Sequence, residues 1–225
     1  FFVEHNRGHH KHVATPEDPA SSKMGENIYS FGVRELPNAF IRGYSIEKQR
    51  LNDQGKSHWS IHNEFLQTMT MTISAYAALS LWLGASIIPY LVIAAFWSMW
   101  QLTSANYIEH YGLTRKHLGD GKYEHVQPRH SWNAAQKASN WLLINLQRHS
   151  DHHYKPDRRF PLLQNHTTND APQLPYGYPV MTMAAMIPPL WRRVMNPRVR
   201  GWRQKYYPEI TDWKAYNSSS NPMPR

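Results

Sequence analysis

Polar and apolar positions divide the chain into three unequal stretches. Between Glu64 and Glu109 there is no Asp, Glu, Lys, Arg or His, so residues 65–108 form 44 consecutive uncharged positions. A membrane-spanning helix needs about 20 residues. The run is therefore too long for one span and suits two. Gly84-Ala85-Ser86, with Pro89 soon after, marks the reversal and gives spans near 66–83 and 87–108. The first carries Gln67, Thr68, Thr70, Thr72 and Ser74. That pattern predicts packing against other helices rather than lipid on all sides.

The flanking stretches are polar but periodic. Over residues 27–52, Tyr29, Phe31, Leu36, Phe40, Ile41, Tyr44, Ile46 and Leu51 recur every few positions among charges. This predicts an amphipathic helix lying on a surface or on the protein itself. Before it, Thr15-Pro16-Glu17-Asp18-Pro19-Ala20-Ser21-Ser22 breaks an earlier helix, and after it Asp53-Gln54-Gly55-Lys56 is a turn. Beyond the apolar run, Gly119-Asp120-Gly121-Lys122 is a loop and residues 133–153 read as one helix. Residues 178–191 are apolar and contain Met181, Met183 and Met186, but Pro188-Pro189 halts them. Such a stretch is too short to span and is expected to be re-entrant or capping. Four segments follow: 1–64, with amphipathic helices; 65–109, a transmembrane hairpin; 110–216, a capping segment; and 217–225, a flexible tail or linker. The expected class is an all-α integral membrane protein, a transmembrane helix bundle with a polar cap.

Charge orients this arrangement. The chain has 225 residues, no cysteine and a formal net charge of +9. Lys and Arg number 8 in residues 1–64 and 17 in residues 109–225, against 8 acidic residues in each, so the excess lies wholly after the hairpin. Basic flanks mark the cytoplasmic side of a membrane, and two spans return the chain to its starting side. Nucleic acid could also attract this charge, but membrane flanking accounts for it more simply, and no nucleic-acid partner is expected. The absence of cysteine excludes disulfides, thiolate zinc sites and iron–sulfur clusters within these residues. Phe1-Phe2-Val3 provides neither an initiator methionine nor a signal-peptide start. The sequence is expected to be a piece of a longer protein.

Histidine supplies the candidate chemistry. Leu146-Gln147-Arg148-His149-Ser150-Asp151-His152-His153 places three imidazoles at i, i+3 and i+4, on one face of a helix. Glu4-His5-Asn6-Arg7-Gly8-His9-His10 opens the chain with a second triplet, in which His5 and His9 stand one turn apart. Imidazole-rich sites without thiolate suit iron, zinc, copper or nickel, and two triplets leave room for two ions. At the end of the second span lies Asn106-Tyr107-Ile108-Glu109-His110-Tyr111-Gly112-Leu113. Ionisable residues there are functional candidates. Glu109 and His110 project about 100° apart on a helix, so His110 is read as a ligand and Glu109 as support behind it. His58 and His62 suit an interfacial place beside Trp59, and His117, His125, His130 and His166 are expected to be structural or exposed.

These three histidine stretches resemble the histidine boxes of the membrane alkane monooxygenases, within the wider superfamily of membrane di-iron desaturases and hydroxylases. The resemblance runs from residue 1 to about residue 165, and the Asn-Tyr-Ile-Glu-His-Tyr-Gly stretch is its most discriminating part. It implies two non-haem iron ions held by histidines, with His5, His9, His10, His110, His149, His152 and His153 as ligands. Glu4, Glu109 and Asp151 are candidates to orient the imidazoles. A further box of the form His-Glu-x-x-His-Lys, with preceding membrane helices, is a family feature not found in these residues. Without it the segment is expected to be incomplete as an enzyme. The resemblance also implies oxidation of an alkane by O2 in a bacterial cytoplasmic membrane, with the metal on the cytoplasmic side. Rubredoxin would deliver the electrons, either as a separate protein or fused through the C-terminal tail. The basic segment with Arg192, Arg193, Arg198 and Arg200 offers it a docking surface. An acyl desaturase, a xylene-type methyl hydroxylase and a non-enzymatic membrane metal-binding protein are the alternatives.

Overall fold

A computed structural model of the chain describes residues 1–218; most of the tail expected over 217–225 lies outside the described residues. The structure is mostly helical, with one small antiparallel pair of strands. The first helix changes pitch within the opening histidine triplet. It is α-helical over Phe2–Glu4 (α1), π-helical over His5–His9 and α-helical again over His10–His12 (α2). The His10 amide accordingly reaches the His5 carbonyl, five residues back. The loop that follows leads to α3, Ile28–Asp53, capped by the Asn27 side chain, which accepts from the amides of Tyr29 and Ser30. This is the amphipathic helix expected from the periodicity. It buries Phe31, Glu35, Gly43 and Glu47 while Val33 and Ile41 stay exposed.

The uncharged run forms α4, Glu64–Leu83, and α5, Ile88–His110, with a 3-10 turn at Ala85–Ile87 between them. Gly84 makes the reversal at φ +86°, where a side chain would be strained. Among the described residues, one helical segment, Ala85–His110, is long and apolar enough to cross a membrane. Along α4 the hydroxyls of Thr68 and Thr72 turn back onto carbonyls one turn earlier. The outer two-thirds of both helices is largely exposed; burial begins at Thr103 and continues through His110. The end of α5 is thus the point at which the apolar hairpin meets the polar body.

The body is organised around that end. Tyr107, Tyr111, Trp132, Trp191, Met195 and Val199 form the centre of an aromatic-rich core. Several residues of the Asn106–Leu113 stretch hold a neighbour. Asn106 donates to Glu35 at 2.6 Å, Tyr107 donates to the Glu26 carbonyl, and Ser22 donates to the Tyr107 carbonyl. Gly112, at φ +71°, lies so close to Val199 and Met24 that a Cβ would meet them at 2.8 and 3.2 Å. Beyond it, β1 (His117–Gly119) pairs with β2 (Lys122–Tyr123) around the expected loop.

The single helix expected over 133–153 does not form. The chain makes α6, Lys137–Leu142, breaks, and restarts as α7, His149–Tyr154. Ile144 and Asn145 take left-handed φ values of 52° and 63°, which a helix cannot continue through. The apolar stretch after 178 also divides. It forms α8, Tyr178–Ala185, and Pro188-Pro189 opens rather than merely ends a helix, starting α9, Pro188–Tyr206. Proline suits the first turn because its missing N–H would have no helical partner there. α9 buries Trp191, Met195, Val199 and Trp202 in the core and leaves Arg192, Arg193, Arg198 and Arg200 exposed. A last helix, α10, runs over Trp213–Ser218.

Candidate metal centre

Three stretches of the chain bring seven histidines together, and they are the seven named from the sequence. They fall into two sets whose ring nitrogens lie within 4.8 Å of one another: His9, His110, His149 and His153, all buried, and His5, His10 and His152, all half-buried. Each triplet is split between the sets. In the first, the π-helical pitch brings His5 and His10 together, Nε2 to Nε2 at 3.2 Å, and sends His9 to the other side. The one-turn spacing of His5 and His9 therefore did not identify partners in one set. In α7, His149 and His153 are one turn apart with their Nε2 atoms 2.9 Å from each other, whereas His152 turns to His10, ring centres 4.6 Å apart. His110 comes from the end of α5 and places its Nε2 3.1 Å from that of His149.

These separations have a chemical meaning. Two imidazole nitrogens bound side by side to one ion, at about 2.1 Å each, stand about 3 Å apart. Nitrogen pairs at 2.9–3.2 Å match that spacing. His9 Nε2 is buried with no hydrogen-bond partner among the described residues. An uncompensated buried lone pair facing three other imidazoles fits a cation. Charge state agrees for the rings other than His9. Burial first, then the neighbouring imidazoles, push His149 and His153 well below the usual histidine range and His10 down to about 3. Neutral imidazole is the form that binds metal.

The surroundings hold the rings from behind. Asp18, fully buried, places Oδ2 2.9 Å from His9 Nδ1. The same carboxylate takes bonds from the Ser21 hydroxyl and the Ala20 amide and lies 3.6 Å from Arg42. Burial raises the Asp18 pKa, but His9 and these hydrogen bonds outweigh it and keep the group anionic. Burial likewise pulls His9 down, and Asp18 more than restores it. Sequence reasoning missed Asp18, which it read only as part of a Pro-rich break. Its one signal was an acid close behind the triplet.

The three carboxylates proposed from sequence take different places. Glu4 is buried, 3.6 Å from Arg42, and burial with Asp18 nearby raises its pKa to about 7. Glu109 reaches further than its helical position suggested. Its Oε2 lies 3.3 Å from His149 Nε2, the atom that His110 also approaches. Two adjacent residues therefore converge on one nitrogen. Asp151 is buried but faces away from the rings. It accepts from Arg158, the Gln164 amide and His166, and so anchors the segment after α7. α7 itself is fixed by Ser150, whose amide donates to Asn133 and whose hydroxyl donates to the Ser131 carbonyl. His130 is buried against Tyr207 and His166 pairs with Asp151, which are structural places.

A helical scaffold that converges two histidine sets on one centre defines a polyhistidine metal protein. The fatty acid desaturase family matches residues 2–185, and the chain belongs to that family. Among curated proteins it is 52% identical over 202 residues to an alkane 1-monooxygenase of Ectopseudomonas oleovorans, covering 90% of this chain and 50% of that protein. It is 52% identical to alkane 1-monooxygenase 1 of Alcanivorax borkumensis, with the same coverage of each. To the xylene/toluene monooxygenase hydroxylase component of Pseudomonas putida it is 28% identical, over 91% of this chain and 53% of that one. The chain spans about half the length of the curated relatives it matches.

Proposed function

We propose that the full-length protein is a membrane di-iron monooxygenase that hydroxylates the terminal methyl group of medium-chain alkanes. The observation that carries this reading is the pair of histidine sets, joined to the alkane 1-monooxygenase relatives at about half identity. His9, His110, His149 and His153 hold one iron, and His5, His10 and His152 hold the other. When bound, the irons supply the activation of O2 that no amino-acid side chain can perform. The chain's own residues fix the imidazoles. Asp18 orients His9, Glu109 stands beside His149, and Glu4 lies near Asp18 and His9. The buried end of α5 keeps bulk water from His110. Residues 65–109 form a membrane hairpin below a cap made by 1–64 and 110–216, so a lipid-soluble hydrocarbon meets the metal from the apolar side.

The test is made on the full-length protein in detergent or vesicles. It should carry two irons per chain and convert an alkane to the primary alcohol with consumption of O2. Formation of an alkene from an acyl chain, oxidation only of an aryl methyl group, or metal binding without O2 consumption would each replace this reading.

These residues hold no cysteine, and we propose that the electrons come from a carrier outside them, separate or fused through the C-terminal tail. We take this to be rubredoxin, a small acidic protein. The exposed arginines of α9 form the docking surface. Charge complementarity of this kind raises association rates and weakens with salt. Reversing Arg192, Arg193, Arg198 and Arg200 to Glu should slow turnover with free rubredoxin at least about tenfold at low salt, and the deficit should shrink as salt rises. Unchanged turnover at low salt would place the docking surface elsewhere on the body.

A further inference from the structure

We propose that the turn joining α6 to α7, with the Phe160–Leu162 turn and α8 beside it, forms a shelf seated in the headgroup–acyl boundary of a phospholipid bilayer. The shelf lies in the polar part of the chain, outside the uncharged run. Its large apolar side chains nevertheless face outward: Trp141 is 69% exposed, Leu142 73%, Ile144 61%, Leu162 63% and Met183 62%. Apolar patches of this kind on a protein surface mark a site of contact. The backbone is held so as to present them. Ile144 is β-branched, yet it occupies the left-handed region at φ 52°. That conformation is unfavourable for such a residue and persists only where the surroundings impose it. Here Asn145 donates to the Phe160 carbonyl and Arg148 to the Leu163 carbonyl, which fastens the two turns edge to edge.

Two features favour lipid over protein as the occupant. First, the shelf is continuous with the apolar surface of α5. A groove of about 410 Å³ runs between them, lined by Trp97 and Trp100 on one wall, Leu143 and Leu146 on another, and Pro179 and Met186 on the third. Whatever solvent surrounds the lower part of α5 also reaches the shelf. Second, the edge carries the composition of an interface. The Lys137 ammonium sits 4.8 Å over the Trp141 ring, an arrangement in which the ring lies at headgroup level and the cation reaches outward. The remainder of a longer chain and a second copy are the other possible occupants, and the experiment separates them.

The absence of cysteine in these residues makes placement directly measurable. Leu142→Cys and Met183→Cys would each be spin-labelled in the full-length protein, freed of other thiols and reconstituted in phospholipid vesicles. Lys122→Cys, on the exposed edge of β2, serves as the aqueous control. Collisions with oxygen and with a polar nickel chelate are then compared. At both shelf sites the ratio of oxygen to nickel collisions should exceed the control several-fold and correspond to a depth of about 5–10 Å below the headgroups. Nickel accessibility equal to the control at either site would overturn the proposal, because the shelf would then face water. Exclusion of both reagents at either site would also overturn it, because protein would then cover the shelf. The readout does not involve the metal centre, so it stands apart from the proposed activity. Both labelled side chains are exposed, and their replacement leaves the core untouched.

Discussion

His110→Ala in the full-length protein should lose the ion held by the buried histidine set and with it nearly all activity, while His166→Ala should keep both. His110 is fully buried, its Nε2 lies 3.1 Å from that of His149, and its ring centre is 4.7 Å from that of His9. Among the described residues it is the one histidine of its set delivered by α5. Removing it leaves three imidazoles around a cavity into which water would enter. With two irons at the start, metal analysis should show the content fall by about one ion per chain. His166 offers the contrast. It lies in an irregular loop and binds Asp151 at 3.0 Å, and Asp151 keeps Arg158 and the Gln164 amide without it. Equal metal loss in the two variants would mean that His110 acts through folding rather than as a ligand. Helical content by circular dichroism, unchanged in both, guards against that reading of a positive result.

What could be read from the sequence was whatever depends on local spacing. The uncharged run announced two helices and their reversal at Gly84, although among the described residues one segment alone is long and apolar enough to span a membrane, and periodicity placed α3 to within a residue or two. Six of the histidines were nameable because they recur within two tight triplets, and His110 because it ends the uncharged run. Their division into two sets was not. A regular helix places His5 beside His9, and only the π-helical turn, which no side-chain pattern announces, pairs His5 with His10 instead. The break at Ile144 and Asn145 was equally hidden, since neither residue is a glycine or a proline. Apolar spacing on both sides of that break suits one continuous helix, and tertiary bonds from Asn145 and Ser150 override it. Asp151 shows the same limit. Its place in the motif suggested service to the histidines, but its contacts lie with Arg158 and the following loop.

Asp18 is the buried carboxylate that holds His9 from behind, and Asp18→Ala should weaken metal binding about 10–100-fold. The argument rests on what His9 requires. Its Nε2 faces the other three imidazoles, so Nδ1 must carry the proton and find an acceptor. Asp18 Oδ2 provides it at 2.9 Å, out of contact with solvent. A full negative charge there fixes the tautomer and ring angle and makes the imidazole a stronger donor to the metal. Asp18→Asn keeps an acceptor without the charge and should fall between the native protein and Asp18→Ala. Chelator competition on the full-length protein measures the order directly. Asp18 also shapes its own loop, because Ser21 donates to it at 2.7 Å and the Ala20 amide at 3.2 Å. Ser21→Ala separates the two roles, removing the loop contact and leaving the His9 bond. Metal retention close to native in Ser21→Ala, with loss in Asp18→Ala, assigns the effect to the histidine. Equal losses would instead trace it to the loop, and Asp18 would then support the centre only by shaping the chain around it.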